Sequence, residues 1–309
     1  MVAAASCVLA QDTTSQRVTY TYDLNGRREP VARQSASGSS TGSSSAQAVQ
    51  SVNGREAPLE KVEERVISSG PDGKVVERIV RKFDATGLAA GSEKLLIEER
   101  KTSDGGTTTL TTTYDSNING GYAMRERTTT QAAKTGDVLR AETFTERPSV
   151  NGGLEAWERK VAVTTGTDKD SQRDVTVYRK SATGGFVEAV REITETKVQD
   201  GQTTTTVAEY NAASTGKMEL AGQKVSRLQK NPDGSELEVV DVYGATSPGR
   251  ASPGAASPKL REQQVIERKP GTGNTLTETF SVRRTEVDSD RLGSLQKISE
   301  TVCTGNCKP

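Results

Sequence analysis

Runs of about ten residues rich in Val, Thr, Ile, Glu and Arg alternate along the chain with short turn-forming clusters, and no stretch of useful length carries apolar residues at helical spacing. Period-two alternation is visible in places: Leu110, Thr112 and Tyr114 share one strand face, as do Leu237, Val239 and Tyr243 around Asp241. The runs pair naturally as hairpins, 61–68 against 74–83 and 93–103 against 107–114. Their turns read Pro71-Asp72-Gly73, Asp104-Gly105-Gly106, Thr135-Gly136-Asp137, Asp200-Gly201, Pro232-Asp233-Gly234 and Gly271-Thr272-Gly273. Such clusters supply the positive or preset φ of tight turns. Further Gly loops stand at Asn119-Gly120-Gly121, Asn151-Gly152-Gly153 and Thr183-Gly184-Gly185.

Aromatic residues recur with this pattern. After Tyr22 come Phe83, Tyr114, Phe144, Tyr178, Tyr210, Tyr243 and Phe280, the last seven at intervals of 30–37 residues. The pattern predicts an all-β antiparallel meander of hairpin repeats about 33 residues long, forming an open or curled elongated sheet. A closed propeller or soluble barrel is the alternative. About seven hairpins fall in 59–302, broken by a Pro/Gly/Ser loop at 244–258. Ahead of them lie a first strand segment at 11–33 and a Ser/Gly-rich linker at 34–58; a Cys-x3-Cys tail, 303–309, follows.

Composition bears on which β architecture this is. Leu, Ile, Val and Phe supply 56 of 309 residues, too few to line both inner faces of a conventional sandwich. Val (29) and Thr (39) favour strands. A transmembrane barrel is disfavoured because its lipid-facing positions must be apolar, and no run approaches the length of a membrane-spanning helix. The expectation is therefore a thin sheet with no transmembrane span. Charge balances at 41 basic and 41 acidic residues, which excludes a nucleic-acid partner.

The first ten residues, MVAAASCVLA before Gln11-Asp12, read as the remnant of an export signal whose start lies upstream, with Cys7 as a weaker lipid-anchor candidate. Removing them leaves Cys303 and Cys307 around a Thr-Gly-Asn turn, which reads as a disulfide, with free thiols or a two-thiolate metal site as alternatives. Localisation is expected to be secreted, periplasmic or cell-surface.

Tyr20-Thr21-Tyr22-Asp23-Leu24-Asn25-Gly26-Arg27 resembles the Y-x-Y-D-x-x-G-R signature of YD (RHS-type) repeats, the β-hairpin repeats of bacterial cell-surface and toxin-delivery proteins. Phe83-Asp84-Ala85-Thr86-Gly87 keeps an aromatic-Asp-x-x-Gly form, and Tyr114-Asp115 and Tyr210-Asn211 keep less. The resemblance implies a secreted β-repeat protein and carries no activity with it.

Candidate chemistry is sparse. With no histidine, Ser-His-Asp and Cys-His catalysis and most catalytic zinc sites are absent. Asp168, Asp170 and Asp174, and Asp288 with Asp290, have the spacing of calcium-binding loops, against a plainer reading as solvated turn acids. Trp157, the sole Trp, reads as a packing residue between hairpins, and 107–113 and 203–206 as Thr ladders. No catalytic set and no cofactor are expected. The leading expectation is a structural scaffold or spacer that self-associates through sheet edges into a homo-oligomer or filament. An adhesin-like module for a glycan or peptide at the cell surface comes second, and a glycan-active enzyme third.

Overall fold

A computed structural model describes residues 13–22, 27–38, 43–52, 55–117, 119–213, 215–244, 258–286, 291–305 and 307. The first six strands are β1 (Thr13–Tyr22), β2 (Arg28–Gly38), β3 (Ser43–Val52), β4 (Arg55–Gly70), β5 (Gly73–Phe83) and β6 (Ala89–Lys101). The next six are β7 (Thr107–Ser116), β8 (Tyr122–Thr135), β9 (Val138–Pro148), β10 (Leu154–Gly166), β11 (Asp170–Lys180) and β12 (Phe186–Gln199). The last six are β13 (Gln202–Ala212), β14 (Met218–Lys230), β15 (Glu236–Gly244), β16 (Lys259–Pro270), β17 (Thr275–Arg284) and β18 (Gln296–Gly305). All are antiparallel to their neighbours, and β1 pairs with both β2 and β18, so the 18-stranded sheet closes on itself.

The meander is as expected and the openness is not. The cause lies in the ladders. Each hairpin carries one extra residue on its second strand, skipped by the register: Val31, Leu59, Ala90, Arg125, Trp157, Ala189, Ala221, Arg261 and Ile298. These nine fall within the first few residues of the strand, hence near one rim; a tenth shift, skipping Ile67, lies near the end of β4 at the other rim. A bulge bends its strand and increases twist, so nine in equivalent positions curl the sheet consistently in one sense. Five repeat aromatics mark these shifts, Phe83, Tyr114, Tyr178, Tyr210 and Tyr243 each following one directly, and Tyr20 does the same in β1.

One further expectation is corrected. The 34–58 segment is not a linker, since it supplies the end of β2, all of β3 and the start of β4. Small polar residues suffice there because a single-layered wall needs ladder hydrogen bonds rather than buried side chains. After β4, strands β5–β18 form seven hairpins, and β1–β4 add two more to the ring. The export segment, the loop at 245–257, and Asp288 and Asp290 lie outside the described residues.

One loop design recurs at 84–88, 102–106, 117–121, 149–153, 181–185, 213–217 and 231–235. In the 181–185 copy, Ser181 N–H donates to Gly185 O (2.7 Å) and Gly184 N–H donates to Ser181 O (3.0 Å). The fourth residue turns the chain with positive φ, +91° at Gly184. A Cβ there meets no neighbour, so only backbone strain opposes it. Gly184→Ala is expected to destabilise the fold by about 1–2 kcal/mol in denaturant titration.

Among the described residues no side chain is fully buried, and extensive contacts join only neighbouring strands. No described strand packs across the interior of the barrel. Eighteen strands about 4.8 Å apart and tilted about 40° make a ring roughly 36 Å across between backbones.

Candidate functional site

Following the register from strand to strand sorts side chains onto two faces. Thr14, Ser37, Ser45, Glu63, Ile79, Lys94 and Tyr114 stand opposite one another in sequence and share one face. Leu110, Thr129, Phe144, Arg159 and Tyr178 continue it. A recess of about 580 Å³ opens on this face, its border including Ser37, Ser45, Glu63, Arg65, Glu77 and Ile79. Ser44 and Glu64 of the opposite face also touch this border, and we take the face that supplies most of it as the one lining the lumen. Phe280 belongs to the outer face, because Ser281 takes the aromatic's position after the shift.

The lumen wall is a net of charged and aromatic groups. Arg159 donates from Nε to Glu142 (2.6 Å), and its guanidinium lies 5.7 Å from the Phe144 ring centroid and 5.4 Å from that of Tyr178. Arg191 grips Asp174 through two bonds of 3.1 and 2.5 Å. Arg127 binds Glu146 at 2.9 and 2.7 Å. Lys94 sits between Tyr114 and Tyr122, 4.8 and 5.0 Å from their centroids. Near the seam Glu300 accepts from Tyr22 Oη (3.0 Å) and pairs with Arg28 (2.5 Å) and Lys297 (2.7 Å). Asp241, 6% exposed, accepts from Arg227 (2.7 Å) and Gln263 (2.6 Å), and Gln263 in turn accepts from Arg283 (2.8 Å).

These arginines were visible in the sequence only as Glu-Arg clusters. Adjacent residues of a strand point to opposite faces, so Glu158 faces outward while Arg159 faces the lumen, and the real partners lie across strands. The signal that locates them is the 32-residue step from Arg127 to Arg159 to Arg191, each two residues past a bulge. Trp157 is itself a bulged residue, half-exposed, with the Arg147 guanidinium 4.5 Å from its ring centroid.

The remaining candidates are placed as follows. Asp168 lies in the β10–β11 turn, Asp170 opens β11, and Asp174 is engaged by Arg191. Among the described residues no group of three His, Cys, Asp or Glu side chains could hold a metal. Cys303 and Cys307 are joined through their sulfurs, and Cys303 is buried.

In the turns, carboxylates organise backbone. The Thr86 hydroxyl holds the Asp84 carboxyl below the usual range, with help from the Leu88 amide. The hydroxyls of Thr102 and Ser235 do the same for Asp104 and Asp233. Because these folded-state values lie below that of an unfolded Asp, about 3.9, the stabilisation is complete above that pH and is lost as pH falls through the depressed values. Amide exchange in 84–88, 102–106 and 231–235 is therefore expected to accelerate selectively, relative to strand amides, below about pH 4.

No protein-family model matches the chain, and no curated protein does. Solved structures do. OmpT of Vibrio cholerae, an outer membrane protein in its trimer form, aligns with a TM-score of 0.50 at 8% identity, covering 95% of this chain and 98% of that one. Salmonella typhi OmpF in complex with daunomycin gives 0.49 at 10% identity over 95% and 97% of the two chains. Acinetobacter baumannii OccAB4 gives 0.48 at 10% over 96% and 97%.

At such identity the likeness is one of fold alone: a closed antiparallel β-barrel. It overturns the YD-repeat resemblance; of that octapeptide, Tyr20, Thr21 and Tyr22 end β1 just past a register shift. The scaffold, adhesin and glycan-enzyme readings fall with it, since a closed ring leaves no free sheet edge for filament or strand addition. The expectation of no transmembrane span is corrected too: the absence of a long apolar helix says nothing of a barrel, which crosses with strands.

Proposed function

We propose that the chain is a porin-like β-barrel pore of a bacterial outer membrane, its lumen a water-filled passage for small polar solutes. One observation carries this reading: the ring closes, and among the described residues extensive contacts join only neighbouring strands, with none packed across the interior. Rings of this strand number enclose aqueous channels rather than side-chain cores. The ion-paired wall suits that role, because side chains tied to each other hold the passage open.

A second reading, a barrel immersed in water on both faces, is favoured by the outer surface. Arg78, paired with Glu64 (2.6 Å), and Lys160, Arg173 and Glu192 point outward from within their strands. At a bilayer midplane each outward Arg or Lys costs about 2–4 kcal/mol. Reconstitution into phospholipid vesicles separates the two. The pore reading expects the chain to float with the vesicles and release sugar-sized solutes. A chain that stays in the aqueous phase and releases nothing overturns it in favour of the second.

A further inference from the structure

A closed ring of strands opens first where a ladder is weakest, because breaking one junction converts it to an open sheet while every other junction stays intact. The β2–β3 ladder is short, running only Ala32–Gly38 against Ser44–Gln50. By comparison, β5 pairs along its whole length, Gly73–Phe83 against Ala89–Arg100. β3 contains no charged residue, so no ion pair can join it to β2. Apart from Arg33 opposite Val49, the facing residues are Ala, Ser, Gln and Gly, types depleted in strands or lacking the bulk for cross-strand packing, and the one ion pair that spans the junction, Arg33 to Glu56 of β4 (3.3 Å), is solvent-exposed and weak.

The chain-terminal seam is equally short, Ser15–Thr21 against Ser299–Gly305. It is, however, tied by side chains. Tyr22 Oη and Arg28 both reach Glu300, at 3.0 and 2.5 Å, and Thr19 meets Thr301 hydroxyl to hydroxyl at 3.1 Å. The recess of about 580 Å³ reaches the β2–β3 junction at one end, bordered there by Ser37, Gly38 and Ser43, and extends across β4 to β5.

We infer that the barrel has a side opening between β2 and β3, not at the seam where the chain ends meet. Opening there joins the recess directly to the outside of the wall, giving a solute held in it a lateral exit. The inference rests on the closed ring alone and holds whether the outer face meets lipid or water.

Hydrogen-exchange mass spectrometry on the full chain tests it, with no need for pore activity. Amides of 32–38 and 44–50 are expected to exchange at least tenfold faster than those of 93–101 and 107–115. The double variant Ala36→Val, Ala46→Val places a β-branched pair at one facing position and should slow exchange across that junction several-fold while leaving β6–β7 unchanged. Equal protection at the two junctions, fastest exchange at 15–21 and 299–305, or no response to the double variant would each overturn the inference.

Discussion

Deleting residues 154–185 is expected to leave a chain that still folds into a closed barrel, two strands smaller than the eighteen of the full ring. The deletion removes β10, β11 and the loop after them, and joins Gly153 to Phe186. Phe186 stands to its loop as Leu154 stands to the one before, and bulged Ala189 replaces bulged Trp157. Arg191 then takes the lumen position of Arg159, so every remaining side chain keeps its face. Since barrel diameter grows roughly linearly with strand number, the lumen cross-section falls by about 20%, which conductance or solute-exclusion measurements read directly. Deleting only 154–169 removes one strand and leaves β9 and β11 running the same way across a short loop; that chain is expected to aggregate. If both deletions behave alike, the repeat is not the folding unit described.

Asp241→Ala is expected to lower stability by about 2–4 kcal/mol, the largest loss for any single charged side chain of the wall. The carboxylate is nearly inaccessible and takes one oxygen each to Gln263 and Arg227. Its removal leaves Arg227 without its counter-charge and frees the amide that positions Gln263 for Arg283. Asp241→Asn, which keeps the shape and loses the charge, should fall between. By contrast Glu267→Ala, breaking an exposed pair with Lys269, should shift stability by no more than about 0.5 kcal/mol. Denaturant midpoints at unchanged slope are the measurement. Equal effects at the two sites would mean that the lumen net does not support the wall.

How far the sequence carried these features depends on the length scale of each. Turns were legible because Asp104-Gly105 or Pro232-Asp233-Gly234 dictate backbone locally. The aromatic period was legible because Tyr114, Tyr178, Tyr210 and Tyr243 each sit beside a register shift. Closure was not, since an open and a closed single-layered sheet share the same alternation and turns. What separates them is a one-residue surplus per hairpin, seen only when strands are aligned against each other. The Ser/Ala/Gln stretch of β3 was misread for a related reason: strand formation was equated with burial, and a hollow wall demands little. In the lumen, Glu158-Arg159 looked like a pair because the residues are adjacent, whereas adjacency in a strand separates side chains and pairing is set by register.

The claim beneath all of this is that the first and last strands meet. NMR on the perdeuterated full chain, recording amide–amide NOEs, tests it most directly. A closed barrel places 15–21 beside 299–305 in antiparallel register, and cross-strand NOEs between these segments, Val18 opposite Val302 among them, are the predicted result. Their absence, with NOEs intact along every other junction, would describe an open sheet and contradict the account.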